Sequence, residues 1–264
     1  MNELLVREAW ISACHFHDLS EADVLREVSA RVSAVRAKGE RHPLVLLDLD
    51  STLYEVGTRT LAIFQEWAAT PAAEAHARVR GAVRALRPEQ VGYSVRDTLR
   101  ALGLDPDAPD SLAATAAIKE FWAARFFTSA YLPHDRPYPG AARFAREVHE
   151  LGAEIVYLTG RDETGMGDGT RANLKRDGFP WEVDRTHLLL KPNFEDADLE
   201  HKRKAADYIR KHGTLVASFE NEPPNLVALH DIFPEAMHVF VQTVCSDHGA
   251  RACEGLYRIR GFAD

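Results

Sequence analysis

Cysteine is scarce in this 264-residue chain, and what there is lacks pattern. Cys14, Cys245 and Cys253 show no C-x-x-C spacing, and an odd number argues against a disulfide framework. Cys245 and Cys253 with His248 could in principle surround a metal, but idle or buried thiols fit the spacing better. No apolar run approaches the roughly twenty residues that a spanning helix needs. The opening MNELLVREAWISACHFHD has acidic residues early and no basic start before an uninterrupted apolar core, so a secretory signal is not expected and a cytoplasmic protein is. Positive charge is also short: the formal net charge is −8, which argues against a nucleic-acid coat. It leaves room for a small anionic substrate, because the local field matters more than the sum. Nucleotide cradles are missing too. The glycine-rich ETGMGDGT (Glu163–Thr170) has neither G-x-G-x-x-G nor a G-K-[ST] ending, and reads as a flexible connection.

What the chain does have is PLVLLDLDSTLY, Pro43–Tyr54. A short apolar run of strand composition delivers Asp48 and Asp50 at its carboxyl end, followed at once by Ser51 and Thr52. Residues two apart on a strand share a face, so both carboxylates can point to one place. Two anions held together call for a hard divalent cation with oxygen ligands, most economically Mg²⁺. An Asp-x-Asp alone is also ordinary turn composition, so its company decides the reading. VYLTGRDE (Val156–Glu163) is a second apolar run that ends in Thr159, Gly160 and Arg161. A third, His187–Leu190, leads to Lys191 and then to LEHKRKAADYI with Lys202. A fourth, LVASFENEPPN, ends in Glu220, Asn221 and Glu222.

Helical patterns alternate with these runs, which argues for an α/β fold: a parallel sheet flanked by helices. Right-handed crossovers then place every motif at the carboxyl edge, where open α/β sheets bind ligands. Leu19–Lys38 has helical spacing, with Ser20 as N-cap and Gly39 as the stop. Between Thr52 and Tyr138 the composition changes to alanine- and arginine-rich stretches with apolar residues at three- and four-residue intervals and no strand-like run. The boundaries read as a helical extension at 1–40, a core of 41–52 and 138–264, and a helical insertion at 53–137. The tail beyond Gln242 has no functional pattern.

In order, DLDST, LTGR, the Lys202 region and FENEPPN resemble the four motifs of the haloacid dehalogenase (HAD) superfamily of phosphohydrolases. The resemblance runs from about Pro43 to about Phe240. It implies a Rossmann-like core whose helical insertion is a cap, and a Mg²⁺-dependent hydrolysis of a small phosphorylated metabolite. It further implies that Asp48 attacks phosphorus, that Asp50 protonates the leaving oxygen and then activates water, and that Thr159 and Lys202 stabilise the phosphoryl oxygens. Gly160, Arg161 and Lys191 are expected to touch substrate, and Asp48, Asp50, Glu220 and Asn221 to hold the metal. Two features depart from the family pattern. The fourth motif usually offers adjacent aspartates or Gly-Asp where this chain has Glu220 and Asn221, and the third-motif lysine could be Lys202 or Lys191, with Lys202 in the more usual place. Retention of Asp50 points to hydrolysis or transfer to an alcohol, since the ion pumps of the superfamily carry threonine there and its dehalogenases lack the second aspartate. A phosphomutase, or a binding protein that has lost turnover, would use the same residues. If the assignment is right, Asp48→Asn abolishes phosphate release while circular dichroism remains that of the wild type.

Overall fold

The structure, a computed structural model, describes residues 4–39 and 41–263. In chain order its strands are β1 (His15–Phe16), β2 (Pro43–Leu47), β3 (Tyr54–Glu55), β4 (Arg136–Pro137), β5 (Glu154–Asp162), β6 (Thr186–Lys191), β7 (Thr214–Glu220), β8 (Met237–Val241) and β9 (Glu254–Ile259). Seven of them form one sheet in the order β1-β9-β8-β7-β2-β5-β6, and every neighbouring pair is parallel. From β2 the chain builds outward to β5 and β6, then crosses back to add β7, β8 and β9 on the other side. The reversal puts a crevice at the carboxyl ends of β5, β2 and β7. This is the Rossmann-like α/β arrangement that the strand and helix alternation predicts.

The chain divides into two compact units. One comprises Met1–Tyr54, Pro137–Gly167 and Leu174–Asp264; the other comprises Glu55–Arg136 and Asp168–Asn173. In the first, β2 is buried at all five positions, as an apolar run covered on both faces must be. Leu44, Leu46, Val156 and Leu158 share one face and pack with Ala205 and Ile209 of the helix Asp198–His212. Phe219 of β7 meets Phe144 and Phe262 at ring-centroid distances of 5.1 and 5.7 Å.

The helix Glu21–Lys38 begins and ends where its sequence says. The Ser20 side chain accepts the Asp23 N–H, and Gly39 closes the last turn with φ 69°. Val24, Val28 and Val32, four apart, form its buried stripe. The first forty residues are more than a helical extension, because β1 joins the sheet at its edge beside β9. The unpatterned tail likewise supplies β9, and Trp10, Phe240, Ala250 and Leu256 close one apolar cluster over it. Neither strand was legible: β1 is two residues long, and β9 alternates only loosely between buried and exposed.

The second unit is built from helices around its own core of Phe64, Trp67, Val79, Val83, Leu99 and Ile118. Inside it Arg59 and Asp135 form a fully buried bidentate pair, Nε to Oδ1 at 2.7 Å and Nη2 to Oδ2 at 2.8 Å. Arg59 Nη1 also donates to the Phe126 carbonyl at 3.0 Å, so the cation is saturated by structure.

The segment Glu163–Thr170 corrects the sequence reading. It opens the helix Glu163–Arg176 instead of forming a flexible loop. Asp162 Oδ2 accepts the Gly165 N–H at 2.6 Å, which is the work of an N-cap and offsets the poor helix propensity of three glycines.

His238 in β8 is fully buried between the Ser218 hydroxyl, 2.8 Å from Nδ1, and the Phe233 carbonyl, 2.8 Å from Nε2. With Nε2–H donating to the carbonyl, Nδ1 accepts from Ser218, which suits a neutral ring. Burial pushes its pKa down from 6.5 to about 4. The unfolded chain therefore binds the proton first as pH falls, so this residue's contribution is complete above pH 6.5 and is lost on the way to about pH 4. Urea unfolding across that window should show a loss of roughly 3 kcal/mol from this source, and His238→Gln should remove that part of the slope.

Candidate active site

Register sets the site. Leu47, the last residue of β2, is level with Tyr157 of β5 and Phe219 of β7. The next residue on β2 is Asp48 and the next on β7 is Glu220, so the two carboxylates leave the sheet side by side. The Asp48 N–H continues the ladder to the Phe219 carbonyl at 3.1 Å. After Asp48 the chain turns sharply: the N–H groups of Thr52, Leu53 and Tyr54 converge on the Leu49 carbonyl at 3.2, 2.9 and 2.9 Å. Ser51 takes φ 60°, a left-handed conformation uncommon outside glycine and characteristic of functional turns. Its carbonyl is held by the Thr243 hydroxyl.

The second motif is shaped by a bulge. β5 pairs with β6 at Leu158↔Leu189 and again at Asp162↔Lys191, so the longer β5 segment between those pairs must loop out. Thr159, Gly160 and Arg161 are thereby pushed from the ladder towards the crevice, a common use of bulges beside active sites. The buried Thr159 hydroxyl accepts the Arg161 N–H at 3.3 Å. At Gly160 a Cβ would lie 2.4 Å from Asp198 Oδ2, which accounts for the glycine by close approach.

The structure separates the two lysines. Lys202, on the first turns of Asp198–His212, is 2 % exposed; its Nζ lies 2.7 Å from Asp48 Oδ1 and donates also to Glu220 Oε2. The Lys191 ammonium is spent elsewhere, on the Phe194 and Asp196 carbonyls at 2.8 Å each and on Asp198 Oδ1 at 2.9 Å. It ties down the loop after β6, so the expected substrate contact gives way to a structural one. Asn221 also departs from expectation. Its Oδ1 accepts from Thr52 at 3.1 Å and its Nδ2 donates to the Val244 carbonyl at 2.7 Å, which leaves the amide bracing the turn instead of facing a metal. Arg161, expected to touch substrate, forms an ion pair with Asp50.

Three participants escaped the sequence reading. Thr243 braces Ser51, Ser246 binds Glu222 through its N–H at 2.9 Å and its hydroxyl at 2.5 Å, and Asp198 fills the space over Gly160. The first two lie just beyond β8 in a tail without motif. Only the parallel neighbour relation of β7 and β8 brings them to the site.

The electrostatics are short of positive charge. Burial, the neighbouring Glu220 and to a smaller degree Asp50 push the Asp48 carboxyl up to about 7, against the pull of Lys202. Burial also raises Glu220, with Lys202 opposing, and raises Glu222 despite its Ser246 bonds. For Lys202 burial acts to lower the pKa, but Asp48 and Glu220 together outweigh it and hold the ammonium charged. Among the described residues no three or more His, Cys, Asp or Glu side chains form a ready metal cage. The donors present are nonetheless all hard oxygens, and the surplus of negative charge at Asp48 and Glu220 is what a divalent cation would relieve, so the residues fit such an ion in kind.

Residues 118–219 match the family described as HAD superfamily, subfamily IIIB (Acid phosphatase). No curated protein sequence matches the chain. Similar solved structures include a class C acid phosphatase from Bacillus anthracis with tungstate bound, at 18% identity over 75% of this chain and 60% of that one, TM-score 0.42. A putative phosphatase from Clostridium difficile shows 12% identity over 81% of this chain and 88% of that one, TM-score 0.46. Protein Tyrosine Kinase A from Mycobacterium tuberculosis shows 16% identity over 82% and 94%, TM-score 0.46. The chain thus spans three fifths of the length of the Bacillus anthracis protein. HAD phosphatases generally use a divalent metal. The family match takes in the bulge at Thr159 and the helix of Lys202, the segments that the sheet sets beside Asp48, so this part of the chain is similar to the phosphatases of the haloacid dehalogenase superfamily.

Proposed function

We propose that this protein is a Mg²⁺-dependent phosphohydrolase that cleaves a small phosphomonoester through an aspartyl-phosphate on Asp48. The observation that carries the reading is the buried Asp48 carboxylate, held by Lys202 at the carboxyl end of the central strand with Asp50 two residues on. An Asp48 oxygen attacks phosphorus while Asp50 gives its proton to the departing alkoxide, so the alcohol leaves neutral. Asp50, now a base, takes a proton from the water that attacks the acyl phosphate, and inorganic phosphate departs as Asp48 is regenerated. Lys202 and the Thr159 hydroxyl balance charge on the phosphoryl oxygens, and most of the barrier is lowered by that positioning and charge stabilisation. Asp48, Glu220 and the backbone carbonyl of Asp50 would hold Mg²⁺, which supplies further charge neutralisation at the phosphoryl group.

In this reading residues 53–137 are the cap that selects the substrate; its support is the helical composition of that unit and its separate core. A cytoplasmic setting belongs to the same proposal, supported by three cysteines that are all unpaired. Among the described residues, no helix is long and apolar enough to cross a membrane.

The direct test is a panel of phosphomonoesters with released phosphate as the readout. Turnover of at least one ester should require Mg²⁺, stop with chelator and return when Mg²⁺ is restored; a panel without turnover, with one ester still bound, points to a binding protein. Lys202→Met should lower the unfolding free energy by about 3–5 kcal/mol, because two buried carboxylates lose their cation. Lys191→Met releases only a loop, and its denaturant midpoint should stay closer to that of the wild type.

A further inference from the structure

We infer that Arg161 is a positioning residue for Asp50 and not a substrate contact, an assignment that rests on the phosphohydrolase reading above. The Arg161 side chain is 1 % exposed whereas Asp50 is 31 % exposed, so the cation is inside and the carboxylate reaches outward from it. Arg161 Nε donates to Asp50 Oδ1 at 2.8 Å, and Nη2 donates to the same oxygen. Two donors of one rigid fork converge on that oxygen and fix its position. The guanidinium is itself backed by the buried Tyr54 ring, whose centroid is 5.6 Å from Cζ, and Tyr54 is set against Phe179 at 5.4 Å.

The backbone of the same residue contributes separately. Its N–H donates to the Thr159 hydroxyl, so the β5 bulge links the second motif to the second carboxylate of the first through one residue. A guanidinium has donors only and does not release a proton in proteins. The fork therefore orients Asp50 through Oδ1 without exchanging a proton with it. Burial of the guanidinium sets the pair apart from an exposed, exchangeable contact.

The test separates positioning of a general acid from binding of phosphate. p-Nitrophenolate leaves without a proton, whereas the alkoxide of glycerol phosphate needs one. For Arg161→Gln with Mg²⁺, kcat/KM for glycerol phosphate should fall about 100-fold more than kcat/KM for p-nitrophenyl phosphate, within the range that general acid catalysis supplies. A burst of nitrophenol equal to the enzyme concentration should appear, because water activation in the second half is slowed as well. Asp50→Asn should show the same substrate asymmetry, and the double variant should be no worse than Asp50→Asn alone, as expected of residues acting through one another. Equal losses on the two esters, a raised KM with unchanged kcat, or losses that multiply in the double variant would overturn the assignment in favour of substrate binding. If Arg161→Gln does not fold, Arg161→Lys carries the same comparison: it keeps the charge but not the fork, and should show the asymmetry in milder form if the inference holds. Wild-type protein inert towards both esters would instead sink the phosphohydrolase reading itself, an outcome distinct from symmetrical losses in an active enzyme.

Discussion

One buried ammonium holds the site together. Lys202 is enclosed between Asp48 and Glu220, carboxylates from two adjacent parallel strands. Three charges have left water to make this contact, and each is tolerable only because the others are there. The burial that makes the cluster costly also makes it effective. In a medium of low polarity a fixed ammonium exerts a strong field on whatever anion comes to Asp48. Burial and the neighbouring Glu220 raise the Asp48 carboxyl to about 7 against the pull of Lys202, so the negative charge at the site is only partly compensated.

Everything near that cluster is arranged to keep it in register. The five-residue β2 ends level with its neighbours, the bulge in β5 lifts Thr159 out of the ladder, and the left-handed Ser51 turns the chain so that Asp50 can meet Arg161. Behind these stand further hydrogen bonds. Thr243 holds the Ser51 carbonyl, Asn221 spans from Thr52 to Val244, and Ser246 occupies Glu222. The segment after β8 is thus a brace for both the first and the fourth motifs.

Much of this was legible in the sequence, for reasons that differ by element. A buried parallel strand announces itself as an uninterrupted apolar run, so β2, β5 and β7 could be read with the polar residues at their ends, and the half-buried edge strand β6 from its leucines. The helix Glu21–Lys38 could be read because its caps and its valine stripe are local signals. The helix at Glu163 was hidden by its glycines, since its N-cap, Asp162, also reads as the end of a strand. β1 and β9 were hidden because a short edge strand and a loosely patterned one carry no signature until they find each other.

At the site, sequence by itself determined the cast: two aspartates two apart after one strand, a Thr-Gly-Arg after another, lysines after a third and an acidic end to the fourth. Residue type and strand-end position are local properties, and local physics decides them. Tertiary structure alone decided how these groups divide the work. Lys191 and Lys202 are eleven residues apart and chemically identical, yet one is used up by loop carbonyls and the other lies between two buried carboxylates. Arg161 and Asn221 look like ligands in the chain, and in the fold Arg161 bonds Asp50 while Asn221 bonds Thr52. Such choices depend on the register of β2 against β7, whose pairings join residues about 170 apart, and no local pattern encodes that alignment.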